Sequence, residues 1–157
     1  MTILKRENVE DYPRPPVVEA VPYQITIRLE GALVAETSQA LRVLETFHAP
    51  TYYLPPADIH AALRPSARSS FCEWKGQARY FDVLIGETIA ENAAWTYDTP
   101  ADEFSALAGY LAFYAGLMGE IQVGGLRVIP QPGDFYGGWV TPNLHGRIKG
   151  APGTRHW

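Results

Sequence analysis

The stretch Arg79-Tyr80-Phe81-Asp82-Val83-Leu84-Ile85, then Gly86-Glu87, then Thr88-Ile89-Ala90-Glu91-Asn92-Ala93-Ala94-Trp95-Thr96-Tyr97 reads as two strands about a two-residue turn. Its first arm is rich in β-branched and aromatic residues, and the glycine supplies the positive φ that a tight turn demands. Two further units repeat the pattern. Gln24-Ile25-Thr26-Ile27-Arg28-Leu29 alternates polar and apolar residues, and Glu30-Gly31 separates it from Ala32-Leu33-Val34-Ala35. Glu120-Ile121-Gln122-Val123 and Leu126-Arg127-Val128-Ile129 flank Gly124-Gly125. Three consecutive-strand hairpins predict a mainly β, antiparallel fold rather than a βαβ one.

The rest of the chain agrees. Thirteen prolines and fourteen glycines are spread along 157 residues, which suits short strands and turns and leaves little room for helix. Residues 1–22, with four prolines between Asp11 and Pro22, read as an extended lead-in. Residues 23–129 form the predicted β domain. Residues 130–157 are rich in glycine and proline but also carry Phe135, Tyr136, Trp139 and Trp157, so they are expected to wrap the domain as an ordered segment. Two segments stay open: Ser38 to Thr46 fits either helix or strand, and Asp102-Glu103 after Pro100 starts a short helix.

Hydrophobic residues make up 46% of the chain and charged residues 19%, as in a packed globule of one domain. A net charge of −4 gives no basic footprint for nucleic acid or for anionic membrane. Glu7 interrupts the N-terminal stretch where a signal peptide needs apolar residues, and the uncharged run from Phe104 to Gly119 is short and broken by glycine. Both observations point to the cytoplasm. The composition calls for no cofactor and leaves homo-oligomerisation open.

Phosphate-loop, dinucleotide-binding and serine-elbow motifs are absent. His48, His60, His145 and His156 lack metal-ligand spacing and read as ordinary surface or core residues. Cys72, with Lys75 three residues on, has the makings of an activated thiolate, but no base accompanies it. Alternation along a strand would also put Cys72 and Trp74 on one face and Glu73 and Lys75 on the other. A buried structural thiol is the better expectation.

The aromatic residues Tyr52, Tyr53, Trp74, Tyr80, Trp95, Tyr97, Tyr110, Phe113 and Tyr114 either fill the core between sheets or wall a pocket for a planar ligand. Charges are interleaved with them: Arg42 and Glu45 in an apolar stretch, Asp58 after Tyr-Tyr-Leu-Pro-Pro, Lys75 beside Trp74, and Glu91 just before Ala-Ala-Trp. Such charges either solvate strand faces or converge on a cleft.

Read in order, several motifs resemble an uncharacterised, largely bacterial family known only as a domain of unknown function and sometimes labelled nucleotidyltransferase-like. They are Ala40-Leu41-Arg42-Val43-Leu44-Glu45-Thr46, Tyr52-Tyr53-Leu54-Pro55-Pro56-Ala57-Asp58-Ile59, Phe71-Cys72-Glu73-Trp74-Lys75-Gly76, Ala94-Trp95-Thr96-Tyr97 and Gly109-Tyr110-Leu111-Ala112-Phe113-Tyr114. Asp11-Tyr12-Pro13-Arg14-Pro15-Pro16 and Pro132-Gly133-Asp134-Phe135-Tyr136-Gly137-Gly138-Trp139 extend the likeness over nearly the whole chain. The resemblance implies a compact fold of two β sheets leaning together like a tent. The transferase label finds no support in the residues, because no Asp-x-Asp or Gly-Ser pair is present to hold Mg²⁺ against phosphates. Ala115-Gly116-Leu117 and Asn143-Leu144-His145-Gly146-Arg147 depart from the family pattern.

Three functions follow as expectations. The first is binding of a small polar or anionic molecule in an aromatic-lined cleft built by Tyr53, Trp74, Trp95, Tyr97 and Tyr114, with Lys75 and Glu45 or Asp58 orienting it. The second is an enzyme acting on nucleotides or phosphorylated metabolites, with Lys75 as anion clamp and Asp58 or Glu91 as base. The third is a protein-interaction or assembly domain that uses exposed aromatics and the tail.

Overall fold

Ile85 faces Thr88 across Gly86-Glu87, Val123 faces Leu126 across Gly124-Gly125, and Leu29 faces Ala32 across Glu30-Gly31. All three predicted hairpins therefore form, each turning on a glycine at positive φ. The computed structural model describes residues 4–133 and 136–150. In chain order its strands are β1 (Glu7–Asn8), β2 (Val17–Ala20), β3 (Ile25–Leu29), β4 (Ala32–Thr37), β5 (Leu41–Leu44), β6 (Thr51–Tyr53), β7 (Ala62–Cys72), β8 (Gly76–Ile85), β9 (Thr88–Thr96) and β10 (Leu111–Phe113), followed by β11 (Glu120–Val123), β12 (Leu126–Arg127), β13 (Ile129–Pro130), β14 (Trp139–Val140) and β15 (Leu144–His145). Helical structure among the described residues is limited to short 3-10 turns, of which Asp102–Leu107 is the longest. No helix among those residues is long and apolar enough to cross a membrane.

The fold is mainly β, with strands that pair almost entirely antiparallel. Among the described residues, hydrogen bonding divides it into five sheets where two were expected: β10-β9-β8-β7, β12-β11-β3-β4, β2-β5-β6 and two short pairs, β13-β14 and the parallel β1-β15. Two of these sheets are joined. Leu54 and Leu111 exchange both backbone hydrogen bonds, at 2.8 and 2.9 Å, so β2-β5-β6 continues edge to edge into β10-β9-β8-β7.

Side chains on successive residues of a strand point to opposite faces, and the joined sheet is buried on both. Tyr52, Leu54, Phe81, Val83, Leu111 and Phe113 pack on one side with Ile25, Ile27, Val34, Ile121 and Val123 of the other four-stranded sheet. Val43, Tyr53, Tyr80, Trp95, Tyr97 and Ala112 form a second cluster on the opposite side, closed by Phe104 and Leu107 from the 3-10 turn. Ser38 to Thr46, which fitted either element, contains strand β5. Leu41 and Val43 face the second cluster, and Arg42 points away to meet two carboxylates. Arg42 makes a bidentate pair with Glu7, at 3.0 and 2.8 Å, and a bond to Glu19 at 2.6 Å.

The lead-in and the tail are tied to this frame. β2 pairs with β5, so part of the predicted extended lead-in is a sheet strand. Trp139 in the tail is 1% exposed, stacks on Tyr52 at 4.9 Å between centroids and donates its indole N–H to the Phe113 carbonyl at 2.9 Å. The expected wrap thus has strands of its own, while Phe135 and Trp157 lie outside the described residues.

A polar cluster holds the sheet where it bulges. Register shifts fall between Phe81 and Val83 and between Pro65 and Ser69. There Asp82 accepts the Asn92 N–H at 2.9 Å and two bonds from Arg64, which satisfies a donor the bulge takes out of the ladder.

Two predictions follow from this frame. Trp139→Ala removes a fully buried indole and is expected to lower unfolding free energy by about 3–5 kcal/mol, read from urea denaturation. At the Arg42 cluster, burial works against ionisation of Glu7, but hydrogen bonds from Arg42 and Tyr12 outweigh it and hold its carboxyl below the ordinary value. The resulting stabilisation is present above the unfolded pKa and fades as pH falls through the folded one. Glu7→Gln should therefore be less stable than wild type at neutral pH, with the gap closing in acid. Denaturation across a pH series checks this, and a gap that stays constant would show that the charge plays no part.

Candidate functional site

The second aromatic cluster does not fill its side of the sheet completely. A cavity of about 330 Å³ remains beside it, and its wall includes Glu45, Tyr53, Trp74, Lys75, Trp95, Tyr97 and Tyr114. Seven of the eight residues singled out from sequence thus lie around one cavity. Asp58 does not: it sits in the 3-10 turn Pro56–Asp58, and its carboxylate accepts a hydrogen bond from Thr37 Oγ1 at 2.6 Å. Glu91 lines a different, adjoining cavity of about 640 Å³. Neither carboxylate shares the cavity of Lys75.

The alternation expected through Cys72 to Lys75 also fails, for a local reason. Cys72 pairs with Gly76, and Glu73-Trp74-Lys75 form the turn between β7 and β8. Because the chain reverses here, Cys72 through Lys75 all border the cavity. The Lys75 carbonyl accepts the Ala101 N–H at 2.9 Å, which anchors the turn to the start of the 3-10 segment. That anchor leaves Lys75 Nζ 5.9 Å from the ring centroids of both Tyr97 and Phe104, within cation–π range.

Alternation on β6, β8 and β9 sets the aromatic wall. Trp95 and Tyr114 meet at 4.5 Å between centroids, Tyr80 and Tyr114 lie almost parallel at 6.5 Å, and the Tyr53 and Tyr97 rings, 6.3 Å apart, are tilted by 48°. Tyr80 Oη lies 3.0 Å from Ser70 Oγ and 3.5 Å from Tyr114 Oη. Burial is the main reason that the Tyr53, Tyr97 and Tyr114 hydroxyls are all pushed above their ordinary value. They stay neutral at physiological pH and serve as hydrogen-bonding tips on apolar rings.

The opposite wall comes from residues that sequence reading passed over. Gln131, His48, Tyr136, Gly137-Gly138 and Lys149 complete the cavity. Gln131 is 2% exposed and joins three parts of the chain: it accepts the Ala49 N–H at 3.2 Å, donates to the Lys149 carbonyl at 2.9 Å and meets His48 Nδ1 at 3.1 Å. His48 Nε2 lies 3.9 Å from Glu45 Oε2, and the same oxygen is 3.6 Å from Arg14. Burial lowers the His48 pKa against the opposing pull of Glu45, aided by Lys149, Arg14 and Lys75. The residue that read as an ordinary histidine lies in the cavity wall, where burial favours its neutral form. Among the described residues, no three His, Cys, Asp or Glu side chains converge as a metal site.

The profile of the domain of unknown function DUF427 matches residues 17–124. The chain belongs to the DUF427 family. No curated protein matches it. Within this DUF427 chain the matched span contains the whole aromatic wall together with Glu45, His48 and Lys75. Gln131, Tyr136, Gly137, Gly138 and Lys149 lie beyond it, so the far side of the cavity is built by the C-terminal segment.

Gly137 is where the two sides come closest. A Cβ at this position would stand 2.2 Å from Trp95 Cη2, so only glycine lets the segment lie on the indole. Gly137→Ala is expected to push the two apart, at a cost of about 1–3 kcal/mol for overpacking, with a change in tryptophan fluorescence. Unchanged stability and emission would show that the segment does not rest on Trp95.

Proposed function

We propose that this protein binds a small planar molecule carrying an anionic group, with the ring against the Trp95 and Tyr114 side of the cavity and the anion near Lys75 and Lys149. One observation carries the reading: an aromatic-walled cavity of about 330 Å³ is bordered by two lysines that have no carboxylate within ion-pair distance among the described residues. Ligand sites combine apolar walls with placed polar groups, and this cavity sets aromatic rings beside Glu45, His48, Lys75, Gln131 and Lys149. Aromatic faces favour flat ligands, and unpaired ammonium groups near a low-dielectric wall favour a negative charge. The neutral tyrosine tips add donors that pose no repulsion to an anion.

A thermal-shift screen of planar carboxylates and phosphates tests the proposal. At a concentration about a hundredfold above Kd, a ligand should raise Tm by roughly 5–10 °C. The Trp95→Ala/Lys75→Ala double variant should lose that shift. If stabilising compounds raise the Tm of the double variant equally, the ligand binds elsewhere and the proposal fails.

A further inference from the structure

The Gln131 contacts fix the protonation of His48. Gln131 Oε1 accepts the Ala49 N–H, so flipping the amide would set two donors against each other. One Nε2 proton goes to the Lys149 carbonyl and the other points at His48 Nδ1, which must therefore accept. A neutral imidazole whose Nδ1 accepts carries its proton on Nε2. That Nε2 stands 3.9 Å from Glu45 Oε2, too far for a hydrogen bond. The two side chains are 17% and 19% exposed, and both border the cavity. A donor and an acceptor thus stand side by side on one wall without satisfying each other.

We propose that this pair reads the amide edge of the ligand: His48 Nε2–H donates to a carbonyl, and Glu45 Oε2 accepts from the N–H on the same carbonyl carbon. The inference rests on the cavity being a small-molecule site and narrows its ligand class to planar rings bearing a cis O=C–N–H edge, as a cyclic lactam or a primary carboxamide. Other edges match less well. A carboxylate sets an acceptor against Glu45, an amine leaves the His48 donor unanswered, and a phenol must serve both groups through its single oxygen. The amide edge satisfies both, and each unmatched partner at a site this buried carries a desolvation penalty. Lys75 and Lys149, which border the same cavity, then take an anionic substituent of the ring.

Calorimetric titration of the full chain provides the test, using a quinazolinone carboxylate, a naphthamide carboxylate and their fully N-methylated counterparts, with naphthoate as a planar anion lacking the edge. Wild type is expected to prefer an amide over its methylated form by about tenfold, and the stronger of the two amides tells lactam from carboxamide. Glu45→Ala and His48→Phe should bring the preference to parity, with Tm measured to establish that each variant folds. If amide and methylated probes bind wild type equally well and lose binding together in Trp95→Ala, the edge assignment is overturned while the cavity remains a ligand site. A preference that survives in both folded variants also overturns it, because another group must then read the edge. If none of the probes binds, naphthoate included, the cavity reading falls and takes this inference with it.

Discussion

The pair of backbone hydrogen bonds between Leu54 and Leu111 is the join on which the rest of the structure depends. Without it, β2-β5-β6 and β10-β9-β8-β7 are separate small sheets, each with an open edge. With it, they present one continuous surface whose two faces have different partners. A pairing slip of one residue would exchange the faces of every side chain. It would move Tyr53 out of the aromatic cluster and Tyr52 away from Trp139. Leu54 is fully buried and Leu111 nearly so, which holds the register by packing as well as by hydrogen bonding.

Both faces of the joined sheet are buried, and they are filled differently. The face toward β12-β11-β3-β4 is lined by aliphatic residues, phenylalanines and one Tyr–Trp stack, and it forms the main core. Among the described residues, the opposite face is covered by a 3-10 turn, the Glu73-Trp74-Lys75 turn and part of the tail, none of which offers a flat apolar layer. Large amphipathic rings suit that situation, because they contribute apolar area and keep a polar tip for whatever occupies the remaining space. The cavity is thus a consequence of covering a wide sheet with irregular chain. The residues best suited to that task are also those best suited to holding a flat ligand.

How much of this could be read from sequence depended on how local each cause is. The hairpins were legible because glycine at Gly86, Gly124 and Gly31 acts within the turn itself. The aromatic wall was legible by residue type, since Tyr53, Trp95, Tyr97 and Tyr114 carry the same amphipathic chemistry wherever they sit. Asp58 was misplaced because its role is a bond to Thr37, which lies 21 residues away at the end of β4. The facing of Lys75 was misread because a turn at Glu73-Trp74-Lys75 cancels strand alternation, and nothing but the pairing of Cys72 with Gly76 shows where that turn falls. His48 and Gln131 were missed for the strongest reason: each is unremarkable by type, and their meaning comes from a contact across 83 residues.

That contact also joins the span matched by DUF427 to the segment beyond it. The matched span supplies the sheet, the aromatic wall, His48 and Glu45. On its own, though, the span leaves His48 free to carry its proton on either nitrogen. Gln131, outside the match, makes the choice by aiming an N–H at Nδ1, and it is held in that orientation by Ala49 and Lys149. A different residue at Gln131 would release the Ala49 and Lys149 contacts and change whether the cavity offers a donor or an acceptor beside Glu45. The matched sheet supplies one side of the cavity, and the C-terminal segment supplies the other together with the contact that orients the His48 proton.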